Sequence, residues 1–571
     1  MEMKVVPDSL NAHQRRRDLE RLANEDFDVL VIGGGITGVG CALDAAARGL
    51  RAGLVEQRDL ASGTSSRSSK LLHGGLRYLE TMEFSLVREA LHERSLHTTT
   101  LAPHLVRPVS FLLPLPGRWW YRLYYGAGVL LYDVLASFRG ASLPRHRHLS
   151  RRRTRELAPS LEPRRLSGGI LYSDAQIDDA RHTVAVARTA AAHGAAIVTS
   201  ARVTSLHQHN GAVTGAEIED LETGASISVT ARRVVNATGV WTDDIQSMVG
   251  TSGLRVDAAK GVHLVVPRER IDSSTGIISK TPTSVLFIIP WGAHWLIGTT
   301  DTRWQGPKDH PAATATDIDY LLNQANQLLS DPLTVDDVIG VYAGLRPLLA
   351  GEADETATLS REHAVLTPTP GFVTIAGGKY TTYRVMARDA IDAAVVDWPV
   401  AVPNSTTDTI ALIGSDNWDA VWKDAAPTLA RRWGVERDLV VRLLGRHGSR
   451  IVDVMALLDE DPRLREVIAG SVLAAEVVHA VRHEGALHLD DVIARRTHLS
   501  IETADRGVDA ATFIAELMGT ELGWDDAERQ REIHLWCDRV AAERAANALP
   551  DDAAASARRL AVADSRSGTG S

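Results

Sequence analysis

An α/β core with an inserted antiparallel sheet and a separate α-helical C-terminal region is the architecture this 571-residue sequence predicts. Three observations predict it. A strand, a glycine-rich turn, a helix and a second strand follow one another within Asp28–Glu56. Alternating strand patterns cluster between residues 256 and 345, and helical periodicity dominates from residue 410 to 548.

The first of these carries the most chemistry. Val29, Leu30, Val31 and Ile32 form a short apolar run suited to a parallel strand buried on both faces. Gly33, Gly35 and Gly38 supply the G-x-G-x-x-G spacing: a tight turn, close approach of backbone N–H groups to a pyrophosphate, and close helix–strand packing. The helix expected from about Thr37 to Arg48 aims its positive N-terminal end at the phosphates. Glu56 ends the second strand 23 residues after Gly33, close to the ~20 of a ribose-binding carboxylate. This Rossmann unit therefore predicts NAD or FAD, with a free 2′-hydroxyl, rather than NADP.

Bulk properties narrow the class. The length calls for two or three domains, and a formal charge of −10 argues against generic nucleic-acid binding. Cys41 and Cys537 are the only cysteines. They allow neither a disulfide framework nor a Cys₄ zinc site or iron–sulfur cluster, so electron transfer has to use another cofactor. The first 22 residues contain no apolar signal-peptide core, which places the protein in the cytosol or facing it. No window reaches the ~18 apolar residues of a spanning helix.

The nearest is 119–138, where Trp120, Leu123, Tyr124, Ala127, Leu131, Val134, Leu135 and Phe138 recur at helical spacing opposite Arg122 and Asp133. Such a helix either lies in a membrane interface or packs on the protein's own core. The pattern alone leaves both open.

Taken in order, residues 1–26 form a polar, partly helical lead-in. The segment after Glu56, rich in Ser62, Ser66, Ser69 and their neighbours, leaves the carboxyl end of the second strand, where ligands of such sheets sit. His73, Gly74, Gly75, Arg77 and Tyr78 add donors suited to an anion. A helix is expected over 83–98, and the basic run 140–166 reads as a solvated face or, beside an interfacial helix, as a contact for acidic lipid head groups. A helix at 180–193 leads to a hairpin-like region with turns at Asn210–Gly211 and Thr223–Gly224. The strand ending at Asn236 runs into Ala237, Thr238 and Gly239, a turn beside the cofactor.

The strand Phe372–Ala376 and Gly377–Gly378 aim a further helix inward. Residues 27–398 thus form one oxidoreductase region, 399–409 a linker, 410–548 a helical domain, and 549–571 a disordered tail. His479, His483 and His488 do not give the H-E-x-x-H face of a zinc helix. They are assigned structural roles, and no metal is expected.

The motifs VIGGGITG, SSRSSKLLHGGLRYLE, KGVHLVVP, LIGTTD, GLRPL and AGGKYTTYR, in this order, resemble the respiratory, FAD-dependent glycerol-3-phosphate dehydrogenase family. AEVVHAVRHEGALHLDDVIARRTHLS is similar to its C-terminal domain, and the resemblance covers about residues 27–545. It implies a glutathione-reductase-like FAD domain, an antiparallel substrate domain and a helical C-terminal domain. The implied reaction is oxidation of sn-glycerol 3-phosphate to dihydroxyacetone phosphate, with electrons passed to membrane quinone. By similarity Gly33, Gly35, Gly38, Glu56, Ser62, Ser66, Ser69, Thr238 and Gly239 hold FAD. Arg77, Tyr78, Thr299 and Lys379 hold substrate, mainly its phosphate, and His263 and Arg346 flank the carbinol.

Imidazole titrates near neutrality, so His263 is taken as general base, with Arg346 stabilising the developing oxyanion. Arg346 is a base only if strongly perturbed. The resemblance also favours membrane contact by the 119–138 helix at the cytoplasmic face, and leaves a homodimer open. The rivals are a glycerol-3-phosphate oxidase using oxygen and, in another class, a non-catalytic flavin-binding scaffold.

Overall fold

The computed structural model describes residues 9–75, 83–117, 119–137, 143–250, 253–281, 285–350 and 362–566. Its centre is a sheet ordered His363–Thr369, Phe372–Gly377, Ser226–Asn236, Phe27–Ile32, Ala52–Val55, Ala196–Val198. All neighbours are parallel except the first pair. Val29 and Val31 point into the core beneath the helices Ile36–Ala47, Asp179–Ala192 and Tyr383–Val395. Leu30 and Ile32 point into a second core on the other face. Burial on both sides explains why this strand is an unbroken apolar run. The hairpin Ala201–His209/Ala212–Asp220 extends from Ser226–Asn236, with turns at the two predicted glycine pairs.

The second sheet extends beyond the span 256–345 expected for it. Val256–Pro267, Gly276–Lys280, Val285–Trp291, His294–Gly298, Thr302–Trp304 and Gly340–Leu349 are joined by Leu71–Leu72, Arg107–Leu115, Arg147–Ser150 and Gly168–Gln176. Among the described residues it is antiparallel at every pairing but one, Gly276–Lys280 running parallel to Arg107–Leu115. Pro108 and Pro114 interrupt the strand signal of Arg107–Leu115, since proline cannot donate to a ladder.

The C-terminal region is mostly helical, with Leu443, Val477, Ile514 and Trp536 in its core and one small hairpin at Val467–Leu473. Residues 549–566 are not disordered, correcting the expectation for 549–571. Asp551 caps a helix at Asp552–Leu560, and Ala555 packs with Ala312 and Ala546. Asp552 pairs with Lys260. Asp564 pairs with Arg58 at 2.6 Å, and Arg566 with Asp491 at 2.8 Å. Composition hid this: alanines that look solvated allow close approach, and Asp552, Asp564 and Arg566 find their partners far away in the sequence.

The helix Trp119–Ser137 docks by the side that carries Arg122, Val129, Tyr132 and Asp133. Arg122 donates to the Leu149 carbonyl at 2.8 Å, and Asp133 accepts from the His146 backbone at 2.8 Å. Tyr132 is buried, whereas Leu123, Leu130 and Val134 are 65%, 55% and 44% exposed. Of the stripe, Leu123, Tyr124, Leu131 and Val134 face outward, whereas Leu135 packs beside Val87, Leu91 and Tyr132. Among the described residues no helix is long and apolar enough to cross a membrane.

His488 joins the C-terminal region to the hairpin, with Glu532 and Glu222 each 3.0 Å from its ring nitrogens. Burial and Arg566 oppose its charge, but the two carboxylates outweigh them and its pKa is pushed up to about 9. A folded-state pKa above the ordinary ~6.5 means the protonated pairing stabilises fully below that pH and is lost as pH rises through about 9. Denaturant midpoints should fall across this window in the native protein. In His488→Gln, stability should be lower at pH 6 and flatter above it. An unchanged slope in the variant would remove His488 as the origin.

Candidate active site

Three parallel strands end on one edge, in register at Ile32, Asn236 and Thr374. The turns that follow, Gly33–Gly35, Ala237–Gly239 and Gly378–Lys379, therefore lie side by side. Gly33 has φ +112°, and a Cβ there would meet the Ala237 carbonyl oxygen at 2.8 Å. At Gly38 a Cβ would stand 1.9 Å from the Gly33 oxygen. Gly35 is the N-cap of Ile36–Ala47 and opposes Ser65, whose hydroxyl accepts from the Ile36 N–H at 2.9 Å.

Glu56 accepts from the Gly34 and Arg58 N–H groups at 2.6 and 2.8 Å, and Ser62 stands 3.5 Å away. Burial pushes its carboxyl above the usual range against those two donors. Thr238 donates its hydroxyl to Asn236 at 2.7 Å, and Gly239 takes φ +61° with open space at its Cβ position. The glycine cradle, the oriented carboxylate and the open turn at Gly239 fit an adenine dinucleotide.

The second sheet brings the other candidates together. His263 lies opposite Gly298 on one side and Tyr342 on the other. Its ring stacks on Tyr342 with centroids 4.9 Å apart. A Cβ at Gly298 would collide with the imidazole at 2.3 Å, which explains glycine there. Ser69, assigned from the sequence to the cofactor, has its hydroxyl 2.8 Å from His263 Nε2, so the cofactor loop and the imidazole are in direct contact. Burial first, then Arg346 and Lys70, push the His263 pKa down to about 3, and the ring is neutral at physiological pH.

Arg346 donates to Thr299 Oγ1 at 2.8 Å and to the Thr300 carbonyl at 3.1 Å, with Asp301 at 3.3 Å. Gly261 keeps space open for this cluster, since a Cβ there would stand 2.5 Å from the guanidinium. Lys379 stands at the N-terminus of the turn Tyr380–Thr382. Arg77 and Tyr78 lie outside the described residues.

The segment 64–70 stitches the two sheets together. Thr64 and Arg67 donate to the Leu345 and Ala343 carbonyls, and Tyr342 donates its hydroxyl to the Ser68 carbonyl at 3.0 Å. Ser66 gives its carbonyl to Lys70 at 3.3 Å. Lys70 is wholly buried and paired at 2.6 Å with Asp179, which also accepts from Ser68. Neither Lys70 nor Asp179 was among the sequence candidates. A lysine inside a serine-rich, glycine-flanked run was the available signal. His479 joins His447 and Glu484 in a buried group whose ligand atoms lie within 4.8 Å of one another. The Arg181 guanidinium already binds that carboxylate, so its charge is balanced within the protein.

Residues 28–384 match the sequence model of the FAD dependent oxidoreductases, and 405–529 that of the C-terminal domain of alpha-glycerophosphate oxidase. The chain is 52% identical over 561 residues to glycerol-3-phosphate dehydrogenase 2 of Mycobacterium tuberculosis, covering 98% of this chain and 95% of that one. It belongs to the FAD-dependent glycerol-3-phosphate dehydrogenase family.

The mitochondrial glycerol-3-phosphate dehydrogenase of Homo sapiens is 37% identical over 553 residues, covering 91% of this chain and 74% of that one. The glycerol-3-phosphate dehydrogenase from Bacillus halodurans complexed with FAD shares the fold at a TM-score of 0.76 and 30% identity, over 92% and 96% of the two chains. The protein is thus a flavoprotein oxidoreductase with FAD as its cofactor. Gly38→Ala places a methyl group against the Gly33 carbonyl and should yield protein that purifies without flavin. Full retention of the flavin absorbance in that variant would contradict the cradle.

Proposed function

We propose that this chain oxidises sn-glycerol 3-phosphate to dihydroxyacetone phosphate and passes the electrons to membrane quinone. The observation that carries the reading is the meeting of a neutral imidazole and an arginine–threonine pair where the cofactor loop contacts the second sheet. FAD, when bound, supplies the acceptor for the hydride leaving C2.

His263 takes the hydroxyl proton. Burial first, then Arg346 and Lys70, keep it unprotonated, and a dianionic phosphate ester arriving beside Arg346 opposes those two charges and raises its basicity. Arg346 stabilises the negative charge developing on the carbinol oxygen, and its bond to Thr299 holds the guanidinium in place. Thr299 and Lys379, with Arg77 and Tyr78, hold the phosphate. Gly33, Gly35, Gly38, Glu56, Ser62, Ser66, Ser69, Thr238 and Gly239 are assigned to FAD, Ser69 also orienting His263.

Anaerobic titration with sn-glycerol 3-phosphate should bleach the bound flavin, whereas glycerol and amino acids should not. His263→Ala should slow that bleaching by roughly 10²–10⁴-fold, the usual contribution of a general base. A quinone analogue should restore the oxidised spectrum much faster than oxygen does. No bleaching with FAD bound would sink the enzymatic reading in favour of the scaffold, and rapid reoxidation by oxygen would favour an oxidase.

Quinone reduction requires contact with a bilayer, and the outward apolar stripe of Trp119–Ser137 supports a peripheral one. Leu123, Leu130, Leu131 and Val134 form a continuous exposed face, while the polar residues anchor the helix to the protein. Interfacial binding scales with the apolar area inserted. Leu123→Glu with Leu131→Glu should lower co-sedimentation with anionic phospholipid vesicles by about tenfold or more, leaving flavin bleaching by the soluble substrate unchanged. Equal vesicle binding would remove this helix as the contact.

A further inference from the structure

Between Ser66–Arg67 of the loop 64–69 and the C-terminal helices, separated from His263 by the Tyr342 ring stacked on it, lies a cavity of about 60 Å³, room for roughly four waters or one small polyatomic ion. Five arginines line it, Arg67, Arg495, Arg506, Arg539 and Arg559, against a single carboxylate, Glu543. They come from separate parts of the chain: the cofactor loop, the 494–506 segment, the helix Asp526–Asn547 and the helix Asp552–Leu560. Of the residues assigned to FAD only Ser66 reaches its wall, and none of His263, Thr299, Arg346 and Lys379 does.

The charges at this wall do not balance. Glu543 is shared by Arg539 at 3.0 Å, Arg506 at 3.4 Å and Arg559 at 3.4 Å, Arg539 pairing also with Asp490. Arg495 is taken by Asp59, Asp490 and Asp491. Arg67 has no ion-pair partner among the described residues. It spends one N–H on the Ala343 carbonyl at 3.0 Å, which leaves the other donors of its five. Burial and the neighbouring Arg539 push its pKa down to about 10, despite Glu543. Buried charge is normally compensated by an opposite charge or a ligand. Arginine forks facing one another across a small space are suited to an oxyanion, which accepts from several of them at once.

We propose that this cavity binds a small tetrahedral dianion of the inorganic phosphate class, bridging the cofactor loop and the C-terminal helices at a site distinct from the one that takes the substrate's phosphate. That the substrate's phosphate sits elsewhere rests on the function proposed above; the cavity itself does not.

The test is thermal unfolding of the full-length, FAD-loaded protein, with sodium phosphate titrated against sodium chloride at matched ionic strength. Phosphate should give a saturable rise in Tm that chloride does not. Arg67→Met and Arg559→Met should each weaken the apparent affinity by roughly 10- to 100-fold, the loss of one or two charged hydrogen bonds. Lys379→Met, which alters the proposed substrate site, should leave the phosphate effect intact. Arg559 lies on the last helix, so its variant keeps the test informative should Arg67→Met fail to load flavin. Absence of a saturable phosphate effect would overturn the proposal. So would an effect that survives both arginine variants and disappears in Lys379→Met, because the ion would then sit in the substrate site.

Discussion

A lysine with no exposed surface, Lys70, is paired with an equally buried aspartate, Asp179, and the geometry of the candidate active site hangs on that contact. Asp179 opens the helix Asp179–Ala192 beneath the parallel sheet, whereas Lys70 closes the loop that leaves that sheet for the second one. The same carboxylate takes the Ser68 N–H and hydroxyl. One residue further on, Ser69 meets His263. Removing either charge would strand the other in a medium where its desolvation cost, several kcal/mol, is uncompensated. The pair thus sets the position of the imidazole relative to the cofactor turns.

Around that anchor the site separates charge by distance from solvent. His263 is kept neutral by burial and by nearby cations, and Arg346 is kept oriented by a hydroxyl, a carbonyl and Asp301. An uncharged imidazole beside a fixed cation suits the alcohol oxidation proposed above, in which the proton and the negative charge on oxygen would be handled by different groups.

The βαβ unit was legible because its signals are local. Gly33, Gly35, Gly38 and Glu56 sit within one turn–helix–strand passage, and the steric reason for each glycine is visible within the same short stretch or its parallel neighbour. The members of the second group, His263 and Arg346 on strands and Thr299 just after one, are ordinary residues. Only their ordered motifs marked them, because their proximity is created by strand pairing. Asp179 and the extra strands at Arg107–Leu115 and Gly168–Gln176 escaped for the same reason, the prolines of the former adding to the obscurity. Helical period revealed the amphipathic character of Trp119–Ser137 but not which side faced inward. That was decided by partners 13 and 27 residues away. The segment after Leu549 was misjudged because alanine-rich composition reads as solvated when its contacts are remote.

The closure made by that segment has a temporal side. Arg58, whose backbone N–H holds the Glu56 carboxylate, has its guanidinium clamped by Asp564, 506 residues downstream. During synthesis the parallel sheet is complete once the strand Phe372–Gly377 emerges, yet the outer wall of its ribose-side turn waits for nearly two hundred more residues. At ~5–20 residues per second, that is an interval of roughly ten to forty seconds. Over that interval the nascent enzyme holds a formed sheet with Arg58 held only by Asp309 and His310, so its full grip on the cofactor should be among the last properties to mature.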